Sequence, residues 1–130
     1  MIQGTEVFPT ISAARRASEI YRQRIKKVLQ GKKLEVAACG QKFSTVFDVG
    51  KYTQNNRASI ELVMDNAEHD PFCILTCNLN HVPLKDREII VKTWSENEET
   101  SRCALASGLF RDTGKRVSTG FVQAQIWEVL

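Results

Sequence analysis

Lys42-Phe43-Ser44-Thr45-Val46-Phe47-Asp48-Val49 is the stretch on which the fold turns. Phe43, Thr45, Phe47 and Val49 alternate with Lys42, Ser44, Val46 and Asp48, and a period of two places the two sets on opposite faces of a strand. Upstream of Gly31 the period is different. Ala13, Ala14, Ala17, Ile20, Tyr21, Ile25, Val28 and Leu29 fall on one half of a helical wheel, and Arg15, Arg16, Arg22, Lys26 and Lys27 on the other. The switch at Gly31, a natural helix terminator after a basic last turn, predicts one amphipathic helix followed by a sheet.

Working outward, residues 1–9 read as a short irregular lead ending at Pro9, and the helical pattern begins at Thr10 or Ser12. Leu34–Cys39 reads as a first strand closed by Gly40, with residues 43–49 the second. Gly50 to Asn56 is turn-like, with its tip at Asn55-Asn56. Ile60, Leu62 and Met64 mark a third strand, and Asp65-Asn66 to Asp70-Pro71 turns the chain into a fourth, Phe72–Leu79. Pro83 and Lys85-Asp86-Arg87-Glu88 form a loop before the apolar run Ile89-Ile90-Val91. Ser95-Glu96-Asn97-Glu98 has the form of a capping box, with Ser95 bonding the N3 amide and Glu98 reaching back. It predicts a second helix over about 95–107, stopped by Gly108. Gly114 and Gly120 punctuate turns before a last strand in Phe121–Leu130. The expectation is a single α+β domain over residues 1–130, a basic helical arm (1–33) on a body (34–130) built around a mainly antiparallel sheet of five or six strands.

Charge is distributed unevenly. Eight of the eighteen Lys and Arg residues lie between Arg15 and Lys33, against the single acid Glu19, whereas residues 34–130 hold ten basic and thirteen acidic residues. Such asymmetry aims a surface at something negative. A helix face of one sign gives up i, i+4 pairing, and like charges such as Arg22 and Lys26 repel by a few tenths of a kcal/mol. The alternative is a solvated outer face on a helix packed against the sheet. Arg15, Arg16, Arg22, Arg24, Lys26, Lys27, Lys32 and Lys33 are therefore the candidate partner-binding residues. Phosphates of RNA or DNA, or an acidic groove on a protein, are the partners they suit. A membrane is not expected, because the alanines of the apolar face insert weakly. Trp127, sharing a strand face with Gln123 and Gln125, is the next candidate contact.

The remaining chemistry is sparse, and the reading is of a protein that is not an enzyme, with no catalytic residue, metal or cofactor. Glu96, Asn97, Glu98 and Glu99 could form a carboxylate cluster, but a capping box with acids in a first helical turn accounts for them. His69-Asp70 sits in a polar turn with no nucleophile in a defined motif. Cys39, Cys73, Cys77 and Cys103 lack metal-knuckle spacing. Cys73 and Cys77, four apart on a strand, would share a face with Leu75 and Leu79 as reduced core thiols, with a metal or disulfide as the alternative. No apolar run is long enough to span a bilayer, and the first residues lack the order of a signal peptide, so a cytoplasmic location is expected.

Several positions from about Lys51 to Leu130 carry a resemblance. Leu75-Thr76-Cys77-Asn78-Leu79 is followed by Pro83-Leu84, then by Val91-Lys92-Thr93-Trp94-Ser95-Glu96-Asn97-Glu98. Gly108-Leu109, Thr113-Gly114-Lys115-Arg116-Val117 and Gly120-Phe121-Val122 complete the series. This part resembles a family of small uncharacterised proteins encoded by plasmids, conjugative elements and phages, which typically has tyrosine at the place of Trp94. The basic arm lies outside the resemblance. The family has no established activity, so no residue role carries over. What it implies is context: an accessory protein of a mobile element in a bacterial host cell. The expectation is an inhibitor of a host defence nuclease or nucleoprotein complex, such as a CRISPR effector (an anti-CRISPR role), acting by occlusion. The alternative is a nucleic-acid-binding accessory protein that uses the basic helix on phosphates. Oligomeric state is left open.

Overall fold

The change of period at Gly31 is where the first helix stops in the computed structural model, which describes residues 11–130, with side chains from Arg16 onward. Helix α1 spans Ile11–Leu29. Gly31 adopts φ +82°, the left-handed conformation that terminates a helix without a Cβ clash. Its amide then donates to the Phe47 carbonyl (3.1 Å), and the Phe47 amide to the Lys32 carbonyl (2.9 Å). The helix end is thus fastened to the stretch whose alternation defines the sheet.

Strands β1 (Lys33–Ala38) and β2 (Gln41–Lys51) form a hairpin around Cys39 and Gly40, both at positive φ, as a tight two-residue turn requires. Strand β3 (Ala58–Met64) pairs antiparallel with β2, and β4 (Pro71–Ile74) with β3. The second sheet holds β5 (Glu88–Val91), β6 (Phe110–Thr119) and β7 (Val122–Val129) in the order β5-β7-β6. Between β5 and β6 come a single 3-10 turn, Ser95–Asn97, and helix α2, Glu98–Ala106.

The α+β class and the presence of two helices match the sequence reading; the sheet does not. Seven strands in two antiparallel sheets replace one sheet of five or six. The expected strand Phe72–Leu79 pairs as a ladder only to Ile74. Beyond it Thr76 supplies a side chain where a carbonyl would serve: its Oγ1 accepts from the Ile60 amide at 3.1 Å. Residues 75–77 turn instead to β5, through the Cys77 amide on the Ile90 carbonyl (3.1 Å) and the Lys92 amide on the Leu75 carbonyl (2.9 Å). This seam joins the sheets. Strand β6 was concealed by Gly114, which marks a bulge rather than a turn. The register with β7 jumps between Asp112 and Arg116, and Thr113 Oγ1 fills the gap by donating to the Ile126 carbonyl (2.6 Å).

The capping box does not form. Ser95 takes φ +54° and neither helix start carries a side-chain cap. Asn97, which the box left without a role, is buried and donates from Nδ2 to the Ile74 carbonyl (2.7 Å). That tether holds the segment in a 3-10 turn, and α2 starts at Glu98.

Two apolar clusters make the core. The larger unites Ile25 and Leu29 of α1, Val36, Phe47 and Ile60 of the first sheet, Ala104 of α2, and Phe110, Trp127 and Val129 of the second. The smaller gathers Val82, Ile90, Ala124 and Ile126. Phe110 stands between Phe47 (centroids 5.8 Å apart) and Trp127 (5.5 Å). Trp127, only 1% exposed, is the largest fully buried side chain. Replacing it by alanine should cost about 3–5 kcal/mol, the usual penalty for emptying a buried tryptophan site. Urea unfolding followed by far-UV circular dichroism measures this, and a change below 1 kcal/mol would contradict the packing described.

Candidate functional site

Helix α1 is the meeting point of the arm's charges. Its inward face is set by Ile25 and Leu29, which sit in the core, and by their helical neighbours Ser18 and Arg22 at i−7 and i−3. The outward face is the opposite stripe: Arg16, Glu19, Ile20, Gln23, Arg24 and Lys27 line a shallow open depression. Ile20 lies within it, 48% exposed, with cations on either side.

The proposed contact residues separate into three groups. Arg16, Lys26, Lys27 and Lys32 are exposed and form no ion pair among the described residues. Arg24 and Lys33 are exposed but engaged, Arg24 with Asp86 and Lys33 with Asp65 (3.2 Å), so both tie the arm to the body. Arg22 does not belong to the outer face: it is 8% exposed, and its guanidinium donates to the Asn56 carbonyl (3.3 Å) and to Glu19 Oε1 (3.4 Å). The position shares its arc with Ile25, and the long arginine stem takes part in the burial. The Arg15 side chain lies outside the described residues, as do residues 1–10 with the expected lead.

Trp127 must also be withdrawn as a surface contact. It has the parity of Gln123 and Gln125, but its end of β7 passes under the larger cluster, and its Nε1 donates to Gln125 Oε1 (2.9 Å). Ile20, by contrast, was assigned to the buried side of the wheel and is exposed. The signal that could have found it is the i, i+3, i+7 row of Arg22, Ile25 and Leu29, which centres the buried arc away from Ile20.

The acids of the α2 entry are dispersed. Glu96 accepts from Lys92 Nζ (2.9 Å), a bond that holds the lysine's pKa up and the carboxyl's down. His69 is an exposed turn residue at φ +51°. Among the described residues no three His, Cys, Asp or Glu side chains stand close enough to hold a metal, and no helix is long and apolar enough to cross a membrane. Cys73 and Cys77 are half-buried rather than core thiols, because the chain leaves the ladder between them.

No protein-family model, curated protein or solved structure matches the chain.

Two checks follow from this electrostatics. Burial raises the Cys73 and Cys77 thiols, partly offset by the Lys92 charge, while Cys39 is exposed. Since the thiolate is the nucleophile, a thiol reagent should label Cys39 first and Cys73 and Cys77 slowly; mass spectrometry of a time course decides, and equal rates would refute it. Glu88, on the body beneath α1, is pushed up by burial. Hydrogen bonds from Lys115 Nζ and the Lys85 amide, with the two lysine charges, outweigh this and hold it below the ordinary 4.5. A depressed carboxyl stabilises the fold above its unfolded pKa, and the contribution disappears as pH falls through the folded value. Glu88→Gln should therefore destabilise the protein by about 1–3 kcal/mol at pH 7. In urea melts its deficit should shrink below pH 4, and a deficit constant with pH would be inconsistent with the ion pair.

Proposed function

We propose that this chain is a non-enzymatic binding protein of a mobile element that docks on a protein partner through the outward face of α1. The partner class suggested by the resemblance is a host defence nuclease or nucleoprotein complex, such as a CRISPR effector, in the cytoplasm of the bacterial host. Inhibition would be by occlusion: the α1 face supplies attraction, and the α+β body supplies bulk.

The observation that carries this reading is Ile20, half-exposed in a depression flanked by Arg16, Arg24 and Lys27. An apolar anchor with a charged rim is how protein interfaces concentrate affinity. A phosphate backbone offers nothing for Ile20 to bury against, so the same feature ranks nucleic acid second. Arg16, Lys26, Lys27 and Lys32 retain that second reading, because four unpaired cations on one arm can meet phosphates.

The test uses protein captured from host cells with its partner, followed by binding kinetics. Arg16→Glu with Lys27→Glu should lower the association rate at least about tenfold at low salt, with the loss shrinking as salt rises. Ile20→Glu should raise the dissociation rate, and none of the three changes should move the melting temperature appreciably, since all are exposed. A partner that binds the triple variant as tightly as the parent would dismiss α1 as the interface. Tight binding to random duplex or single strands that weakens steeply with salt would instead favour the nucleic-acid reading.

A further inference from the structure

A partly open cavity of about 90 Å³ lies on the opposite side of α1 from the docking face. Ser18, Arg22 and Ile25 form its helix wall, Ala58 at the start of β3 and Ile89-Ile90 of β5 its floor, and Arg57, Lys85 and Glu88 supply charge beside the polar Tyr52 and Asn78. Its cations outnumber its anions. Arg22, Arg57 and Lys85 stand against Glu88, whose carboxylate is already held by Lys115 at 2.8 Å.

The two guanidinium groups are under-used. Each offers five N–H donors. Arg22 makes two bonds, at 3.3 and 3.4 Å, both longer than the usual range. Arg57 bonds the Leu79 and Val82 carbonyls and pairs with no carboxylate among the described residues. Carbonyl oxygens satisfy donors without neutralising charge, and the guanidinium N–H groups that make no bond remain open to solvent, where an anion can reach them. Burial lowers the Arg57 pKa. Glu19 is the one carboxylate paired with Arg22 among the described residues, and it is an exposed side chain at the long distance of 3.4 Å.

We propose that this cavity binds the oxyanion end of a small molecule, a phosphoryl or carboxylate group held between Arg22 and Arg57. Planar guanidinium groups meet such groups with paired, charge-assisted hydrogen bonds. About 90 Å³ is several times the roughly 10–15 Å³ that a single water needs, which admits one oxyanion with a short substituent. Ile25, Leu84, Ile89 and Ile90 give apolar wall beside the polar Tyr52 and Asn78, which suits a short substituent with a carbon stem. Tyr21, partly exposed, and Lys85 stand at the edge, where the charge of Lys85 draws the anion in.

The full chain is titrated with sodium phosphate and, separately, sodium acetate, against sodium chloride at matched ionic strength. The readout is the arginine side-chain and tyrosine resonances in NMR spectra. A saturable response centred on Arg22, Arg57 and Tyr21, absent with chloride, is expected for at least one of the two. Saturation by phosphate alone assigns a phosphoryl ligand, and by acetate alone a carboxylate. Arg22→Gln should weaken the responding anion at least about tenfold, the equivalent of one charge-assisted hydrogen bond. Lys85→Gln, an exposed edge position that leaves the core intact, should weaken it about threefold and serves even where Arg22→Gln fails to fold. A response no different from chloride, or an affinity unchanged in the folded variants, overturns the proposal. Neither outcome touches the α1 docking face, whose residues lie on the other side of the helix.

Discussion

Strand β5 and the second half of β7 are buried on both faces, and the architecture follows from that constraint. All four residues of β5 are buried. On β7, Ala124 and Ile126 face the smaller cluster, while Trp127 and Val129 face the larger. A strand between two apolar layers cannot keep the simple alternation of a half-solvated sheet. Trp127 of β7 and Phe110 of the neighbouring β6 project toward Phe47, so the second sheet is pinned to the first by an aromatic chain rather than by main-chain pairing alone. The short seam at residues 75–77 completes the union.

Once the larger cluster is in place, the orientation of α1 is no longer free. Ile25 and Leu29 must point into it, Gly31 fastens the helix end to Phe47, and Gln30 Oε1 accepts from the Val49 amide at 2.7 Å. The stripe 180° away is then exposed by necessity, whatever its composition. Glu19 and Gln23 interrupt its cations and Ile20 breaks its polarity. The rotation that exposes Ile20 also buries Arg22, so the exposed stripe and the arginine-lined cavity arise from one packing arrangement.

The sequence made the helices, the first three strands and the terminating role of Gly31 legible, because each rests on local periodicity or backbone preference. What escaped it depended on partners distant in the chain. Gly114 could be a turn or a bulge, and only the β7 partner decides. Ser95 and Glu98 had the spacing of a cap, yet burial of Asn97 against the Ile74 carbonyl, 23 residues away, overrides it. Trp127 looked exposed because its parity matched two glutamines, and parity does not report a second layer arriving from elsewhere. On α1 a wheel with many alanines has a broad, ill-defined apolar arc. An arginine could pass for outer surface there, and an isoleucine for core.

The division of the basic arm bears on what its charge can accomplish. Of the eight cations, Arg24 and Lys33 spend their charge on Asp86 and Asp65, and Arg22 points inward. Exposed pairs of this kind contribute at most about 1 kcal/mol, yet they lower the field the arm presents. The four described cations without ion pairs, Arg16, Lys26, Lys27 and Lys32, could release about four counterions from a duplex, since the salt slope is roughly −0.9 per phosphate met. That is less than half the slope of a strong non-specific DNA binder, about −10, and the net charge of residues 34–130, ten basic against thirteen acidic, repels the same duplex. Charge alone therefore gives weak attraction and a faster encounter. Under the proposed docking, residence would come from desolvated apolar contact, and Ile20 is the exposed apolar side chain on this face.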